Sequence, residues 1–225
     1  MLQVYIGYDP RESVAFYTLA HSIFARSSIP VSIAALMQRH LGHLYTRPRG
    51  PTESTEFSLT RFLVPALSGY QGWSVYMDCD MLCRTDIAGL AALMARQADK
   101  AVLVCQHDYV PKSERKFLNQ VQTKYARKNW SSLMLFNNER CKALTPEYIN
   151  SASGLELHRF AWLPDAAIGG LPLEWNWLVG EYEYNAKAKI AHFTRGGPYF
   201  DDYRDCDYAD EWRAEFEALR RRGES

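Results

Sequence analysis

A short apolar run that stops at two carboxylates constrains this chain more than any other feature: Trp73-Ser74-Val75-Tyr76-Met77, then Asp78-Cys79-Asp80. Five mostly apolar residues bounded by polar ones read as a buried strand, and buried strands belong to sheets covered on both faces. Side chains alternate along a strand, so Asp78 and Asp80 project to one side while Cys79 points to the other. Two carboxylates can then converge on one cation, and hard oxygen ligands suit Mg²⁺ or Mn²⁺. A second copy, Asp205-Cys206-Asp207, lies in an acidic, Tyr-rich stretch with no apolar run before it, and is read as solvated. Only the first copy would stand at the carboxyl end of a sheet, where α/β folds bind their ligands.

The rest of the chain supplies that sheet. Leu2 to Tyr8 reads as a first buried strand, and Asp9-Pro10-Arg11-Glu12 as the capped entry to a helix reaching Ala25. Further strands are expected at 31–36, 101–106, 131–137 and 189–193, and helices at 56–67, 87–97, 139–151 and 208–222, with Pro65 kinking or ending the first of these. Residues 46–54 read as a loop, the polar stretch 111–129 as a mobile lid or acceptor-side loop, and 164–172 as irregular chain broken by Gly and Pro. Strands alternating with helices predict an α/β fold with a mixed, mostly parallel sheet flanked by helices, and 225 residues suit one domain spanning 1–225.

Charge excludes some functions. Lys plus Arg equals Asp plus Glu at 26 each, so no global field draws the chain onto nucleic acid or an anionic membrane. No apolar stretch approaches the ~20 residues needed to span a bilayer. The five cysteines are odd in number and scattered, and the first residues resemble no secretory signal, so a cytoplasmic location is expected.

Several segments, in order, resemble glycosyltransferase family 8, the glycogenin-like and lipopolysaccharide galactosyltransferase-like enzymes. Phe57-Ser-Leu-Thr-Arg-Phe-Leu-Val-Pro65, Tyr70 and Val75-Tyr-Met-Asp-Cys-Asp-Met-Leu-Cys-Arg-Thr-Asp86 are similar to that family's central block. Val4-Tyr-Ile-Gly-Tyr-Asp9 looks like its first strand and base-binding turn, and Asn129-Trp-Ser-Ser-Leu-Met-Leu-Phe-Asn137 like the strand lining its sugar side. His192-Phe-Thr-Arg-Gly-Gly-Pro-Tyr199 resembles its C-terminal His-x-x-Gly-x-x-Lys element, whose His is the third metal ligand. The likeness covers about two-thirds of the chain. It implies the GT-A nucleotide-diphospho-sugar transferase fold and Mn²⁺ or Mg²⁺ held by Asp78, Asp80 and His192. The donor it implies is a nucleoside-diphosphate sugar, expected to be uridine-linked, with its base against Gly7, Tyr8 and Asp9.

Pro198 stands where the family has Lys, which leaves the phosphates to Arg61 or Arg195. The family's Asp-Gln near the anomeric carbon finds Asp165-Ala166 here, so Asp165 and Asn176 are kept as candidate sugar contacts. His21, His40, His43, His107 and His158 lack such context and read as ordinary polar residues. Asp9 doubles as a helix cap. The resemblance implies hexosyl transfer to an acceptor hydroxyl with retention; the acceptor, whether glycan, lipid-linked or protein, is not specified. Two alternatives stand beside it: a catalytically inactive sugar-nucleotide-binding relative, and a sugar nucleotidyltransferase, which would want a glycine-rich basic loop where this chain has Gly7-Tyr-Asp-Pro-Arg-Glu12.

Overall fold

The computed structural model describes residues 1–50, 53–112, 115–116, 118, 120–121 and 126–222. Its main sheet has six strands: β1 (Leu2–Gly7), β2 (Val31–Leu36), β3 (Trp73–Met77), β5 (Val102–Cys105), β8 (Leu133–Asn137) and β9 (Ile168–Leu171). They lie in the order β2-β1-β3-β8-β5-β9. Only β8 runs against its neighbours; β2, β1, β3, β5 and β9 share one direction. The central strands are mostly apolar and, apart from half-buried Trp73 and Asn137, buried, as a sheet covered on both faces requires. The mixed, parallel-rich sheet expected from the sequence is therefore present.

A second, three-stranded sheet decides where the chemistry can lie. It comprises β4 (Met81–Cys83), β10 (Trp177–Leu178) and β11 (Ile190–His192), in the order β10-β11-β4. The chain leaves β3 at Met77 and enters β4 at Met81, so Asp78-Cys79-Asp80 forms the seam between the sheets. A two-stranded ribbon, β6 (Arg115–Lys116) with β7 (Gln120–Val121), completes the strands, and much of the stretch expected to be a lid lies outside the described residues.

Of the helices, α1 (Ser13–Arg26) and α3 (Ala88–Arg96) fall close to expectation. The segment 56–67 does not form one helix: a 3-10 turn at Thr60–Leu63 is followed by a short α2 (Val64–Leu67). Pro65 is the reason, since it lacks an N–H and is tolerated only in a first turn, where it now sits. The expected helix at 139–151 is likewise reduced to a 3-10 turn and α4 (Pro146–Ser151), followed by α5 (Gly154–His158) with a Ser153/Glu156 capping box. Residues 168–171 correct the irregular reading of 164–172, for they form the edge strand β9. Gly169 and Gly170 hid its alternation, and a Cβ on Gly169 would lie 2.4 Å from Leu103 Cδ2.

The charged last helix, α6 (Ala209–Arg222), covers the smaller sheet. Tyr208 and Trp212 join Leu82, Val179, Ala191 and Phe193 in a second apolar cluster. Glu215 is buried against α1, where it meets His21 Nδ1 at 2.5 Å and Arg26 at 2.6 Å. Burial works against that carboxylate, but the hydrogen bonds from Arg26 and His21 prevail and hold it below its usual range.

Packing overrides helix propensity at Gly89, near the start of α3. An alanine there would ordinarily gain up to about 1 kcal/mol, but its Cβ would stand 2.6 Å from Trp175 Cζ2. We expect Gly89→Ala to lose about 1–2 kcal/mol of stability, read as a lower urea midpoint with an unchanged slope. A raised midpoint would show that Trp175 yields.

Candidate metal and donor site

The seam brings three candidate ligands together. Among the described residues, Asp78, Asp80 and His192 offer ligand atoms that all lie within 4.8 Å of one another. Backbone register accounts for this: β11 runs antiparallel to β4 with His192 opposite Met81, and Phe193 N donates to Asp80 O at 2.8 Å. Asp78 N is held in turn by Ser132 O at 2.9 Å, which ties the seam to β8. His192 Nε2 faces Asp80 Oδ1 at 3.4 Å.

Asn176 sets the orientation of His192. Fully buried, it donates through Nδ2 to Ser132 Oγ at 2.9 Å and toward Asn129 O at 3.5 Å. Its Oδ1 is therefore the atom meeting His192 Nδ1 at 2.9 Å. An oxygen acceptor there fixes the proton on Nδ1 and leaves the Nε2 lone pair turned toward the carboxylates. A hydrogen-bonded partner behind a histidine, with its free nitrogen aimed at acidic oxygens, is how proteins prepare an imidazole ligand. Two carboxylates and one imidazole so arranged fit a divalent cation.

Arg61 compensates part of the charge. Its Nη1 lies 2.9 Å from Asp78 Oδ1, and Tyr76 OH donates to that same oxygen at 2.7 Å. The guanidinium also donates to Phe57 O and Ser131 O and stands over the Tyr76 ring. Burial still pushes the Asp78 carboxyl above its ordinary range, against the pull of Arg61, and the neighbouring Asp80 adds to the rise.

The chain is 48% identical over 225 residues to Protein CDI of Arabidopsis thaliana, an alignment covering 96% of this chain and 86% of that protein. The chain belongs to the Protein CDI family. No protein-family model matches it. Among solved structures, the bifunctional glycosyltransferase WbbM superposes at TM-score 0.68 and 14% identity, over 96% of this chain and 49% of WbbM. The galactosyltransferase LgtC, solved with donor and acceptor sugar analogues, superposes at 0.57 and 11% identity over 97% of this chain and 96% of its own. GlyE of Streptococcus pneumoniae TIGR4 gives 0.60 and 14%, over 97% of this chain and 61% of GlyE. This chain thus spans about half of WbbM but nearly all of LgtC. The architecture is the GT-A glycosyltransferase fold.

The remaining sequence candidates divide. Gly7 ends β1, where an added Cβ would lie 2.5 Å from Phe57 Cγ and 2.7 Å from Tyr76 OH, so the glycine is needed for packing. Tyr8 is half-buried and meets Phe16 edge to face. Asp9 caps the turn that leads into α1 and accepts from Arg11 N, the Arg11 side chain and Glu56 N. Burial opposes its charge, but the Arg11 and Glu56 hydrogen bonds keep it below the usual carboxylate range. Arg195 lies against Gly180 and carries a buried Nε with no hydrogen-bond partner among the described residues. Asp165 does not join the cluster. It precedes the amino end of β9 while Asp78 follows the carboxyl end of the parallel β3, which puts them on opposite sheet edges. Its side chain is 80% exposed and paired with Arg127 at 2.6 Å.

Asp205 and Asp207 of the second Asp-x-Asp are exposed, as the sequence indicated. Tyr76, Asn129 and Ser132 were missed. Tyr76 was legible, because it stands two residues before Asp78 and so shares its face; the other two act through contacts between distant segments.

We expect Arg61→Ala to destabilise the metal-free chain by about 3–5 kcal/mol, because it strands a buried carboxylate. Asp78 already binds its proton more tightly folded than unfolded, so protonation favours the fold, and losing Arg61 strengthens that preference. The deficit should be complete above the still higher Asp78 value of the variant, shrink as pH falls from there to the raised value of the unmodified chain, and stay constant below it, where both carboxyls are protonated. Thermal melting across that window checks this; a deficit independent of pH would assign the loss to packing.

Proposed function

We propose that this chain is a glycosyltransferase that moves a hexose from a nucleoside-diphosphate sugar, expected to be uridine-linked, to an acceptor hydroxyl with retention. The observation that carries this reading is the convergence of Asp78 and Asp80 with His192 at the seam between two sheets of a GT-A fold. Asp78, Asp80 and His192 would hold Mn²⁺ or Mg²⁺. Such an ion, when bound, neutralises the charge that develops on a diphosphate leaving group.

The chain's own residues prepare the reaction in defined ways. Asn176 holds His192 with Nε2 free, so in this reading it is a positioning residue rather than a sugar contact. Arg61 is committed to Asp78 and to backbone carbonyls, which leaves Arg195, with its unpartnered Nε, as the better phosphate contact in place of the missing lysine at 198. Because Asp9 is fully engaged in capping, the nucleoside base would rest on Tyr8 and the strand-end backbone.

The exposed position of Asp165 favours one alternative, a chain that binds the donor without turnover. We assign the protein to the cytoplasm, supported by its five free cysteines. No helix among the described residues is long and apolar enough to cross a membrane.

Incubation with a panel of sugar nucleotides, with and without Mn²⁺, should release free nucleoside diphosphate only when the metal is present. Binding without release would establish the inactive relative; release of pyrophosphate from a nucleoside triphosphate and a sugar phosphate would establish a nucleotidyltransferase. In calorimetry, Asn176→Leu should weaken Mn²⁺ binding roughly ten- to hundredfold. Unchanged affinity would remove His192 from the ligand set.

A further inference from the structure

The sheet has a direction that the metal site alone does not reveal. On the edge carrying Asp78, the chain leaves β1 at Tyr8, leaves β3 at Asp78, enters β8 from Ser132 and leaves β5 toward His107. With the base at the end of β1 and the diphosphate at the end of β3, a donor laid along this edge must carry its sugar onward, over β8 toward β5. Neighbouring strands stand ~4.8 Å apart, so the end of β5 is about 10 Å beyond the metal site, in reach of a hexose attached to the second phosphate.

His107 waits there. It is 5% exposed, its Nδ1 meets Tyr182 OH at 2.9 Å, and its backbone carbonyl accepts from Trp130 Nε1 at 2.8 Å. Its Nε2 is buried with no hydrogen-bond partner among the described residues, a cost that folded proteins seldom leave unmet. Burial first, and the nearby His192 second, push the imidazole down to about 3, so it is a neutral ring at ordinary pH. Tyr109 lies edge-on to it with centroids 6.3 Å apart, and the Tyr109 hydroxyl accepts from Asn129 Nδ2 at 2.7 Å. Asn129 also donates to Thr194 Oγ1 at 3.1 Å, and its carbonyl receives Asn176, the residue that orients His192. The histidine is thus joined to the metal face by a short chain of contacts.

We infer that His107, held by Tyr182 and flanked by Tyr109, is a specificity-determining residue whose Nε2 hydrogen-bonds a hydroxyl of the transferred sugar. This rests on the glycosyltransferase reading and adds to it a sugar subsite at the end of β5. A neutral imidazole can donate or accept, which suits a hydroxyl, and the aromatic neighbours supply apolar walls of the kind sugar rings stack on.

The test compares each of four diphosphates, those of uridine, guanosine, cytidine and adenosine, with its glucose conjugate by calorimetry in Mn²⁺. In His107→Phe, which keeps the ring's bulk and removes its nitrogens, the retained diphosphate should bind within about twofold of wild type. Affinity for its glucose conjugate, relative to the diphosphate, should fall roughly tenfold, the size expected for the net loss of one hydrogen bond between neutral groups. His107→Gln, whose amide can reach the Nε2 position, should restore part of the ratio. An unchanged ratio in His107→Phe overturns the subsite and leaves the wider reading standing. Failure of all four diphosphates to bind wild type sinks the wider reading and the subsite with it. If thermal melting shows that His107→Phe does not fold, the same ratio in Tyr182→Phe decides, with a fall of about threefold expected and no change overturning the subsite.

Discussion

The backbone register between β4 and β11 is the constraint on which the rest of this site depends. Asp78 and Asp80 come from a strand end and its exit, and either could face solvent harmlessly. What makes them a site is that the chain passes at once into a second sheet, where His192 pairs opposite Met81 and Phe193 N binds the Asp80 carbonyl. A one-residue slip of β11 would turn His192 to the other face, because side chains alternate. Ladder hydrogen bonds, more than any side-chain attraction, therefore bring the imidazole to the acids.

Around that junction the molecule manages a concentration of buried charge. Asp78 is balanced by Arg61 and Tyr76, Asp9 by Arg11 and two amides, and Glu215 by His21 and Arg26. Glu12, buried beneath the first turn of α1, accepts from Tyr199 at 2.8 Å. For Asp9 and Glu215 the compensation outweighs burial; at Asp78 it does not. The residual imbalance sits at the candidate metal site, where an added positive charge would be most favoured.

Much of the framework could be read from residue order, because strands such as Val31–Leu36 and Trp73–Met77 are apolar runs closed by polar or turn residues. The candidate ligands were legible for a different reason, the resemblance of short segments in their family order. Other parts were hidden by physics that a local pattern does not carry. Gly169 and Gly170 have no side chains with which to announce β9, and Pro65 replaces a helix by two short turns. Asn176 is next to nothing informative in sequence, and its role comes from Ser132 and His192 meeting it across the seam. His107 looked like any lone histidine until sheet order placed it on the same edge as Asp78.

At this junction the chain crosses from one sheet to the other through Asp78-Cys79-Asp80, and the strand that pairs with β4 brings His192 to the same place. Whatever lodges among Asp78, Asp80 and His192 is gripped by both sheets at once, and its binding free energy is also free energy against prising them apart. Ligand and scaffold would thus act on each other like a rivet and its plates: the contacts that hold a ligand there would also stiffen the frame that holds it.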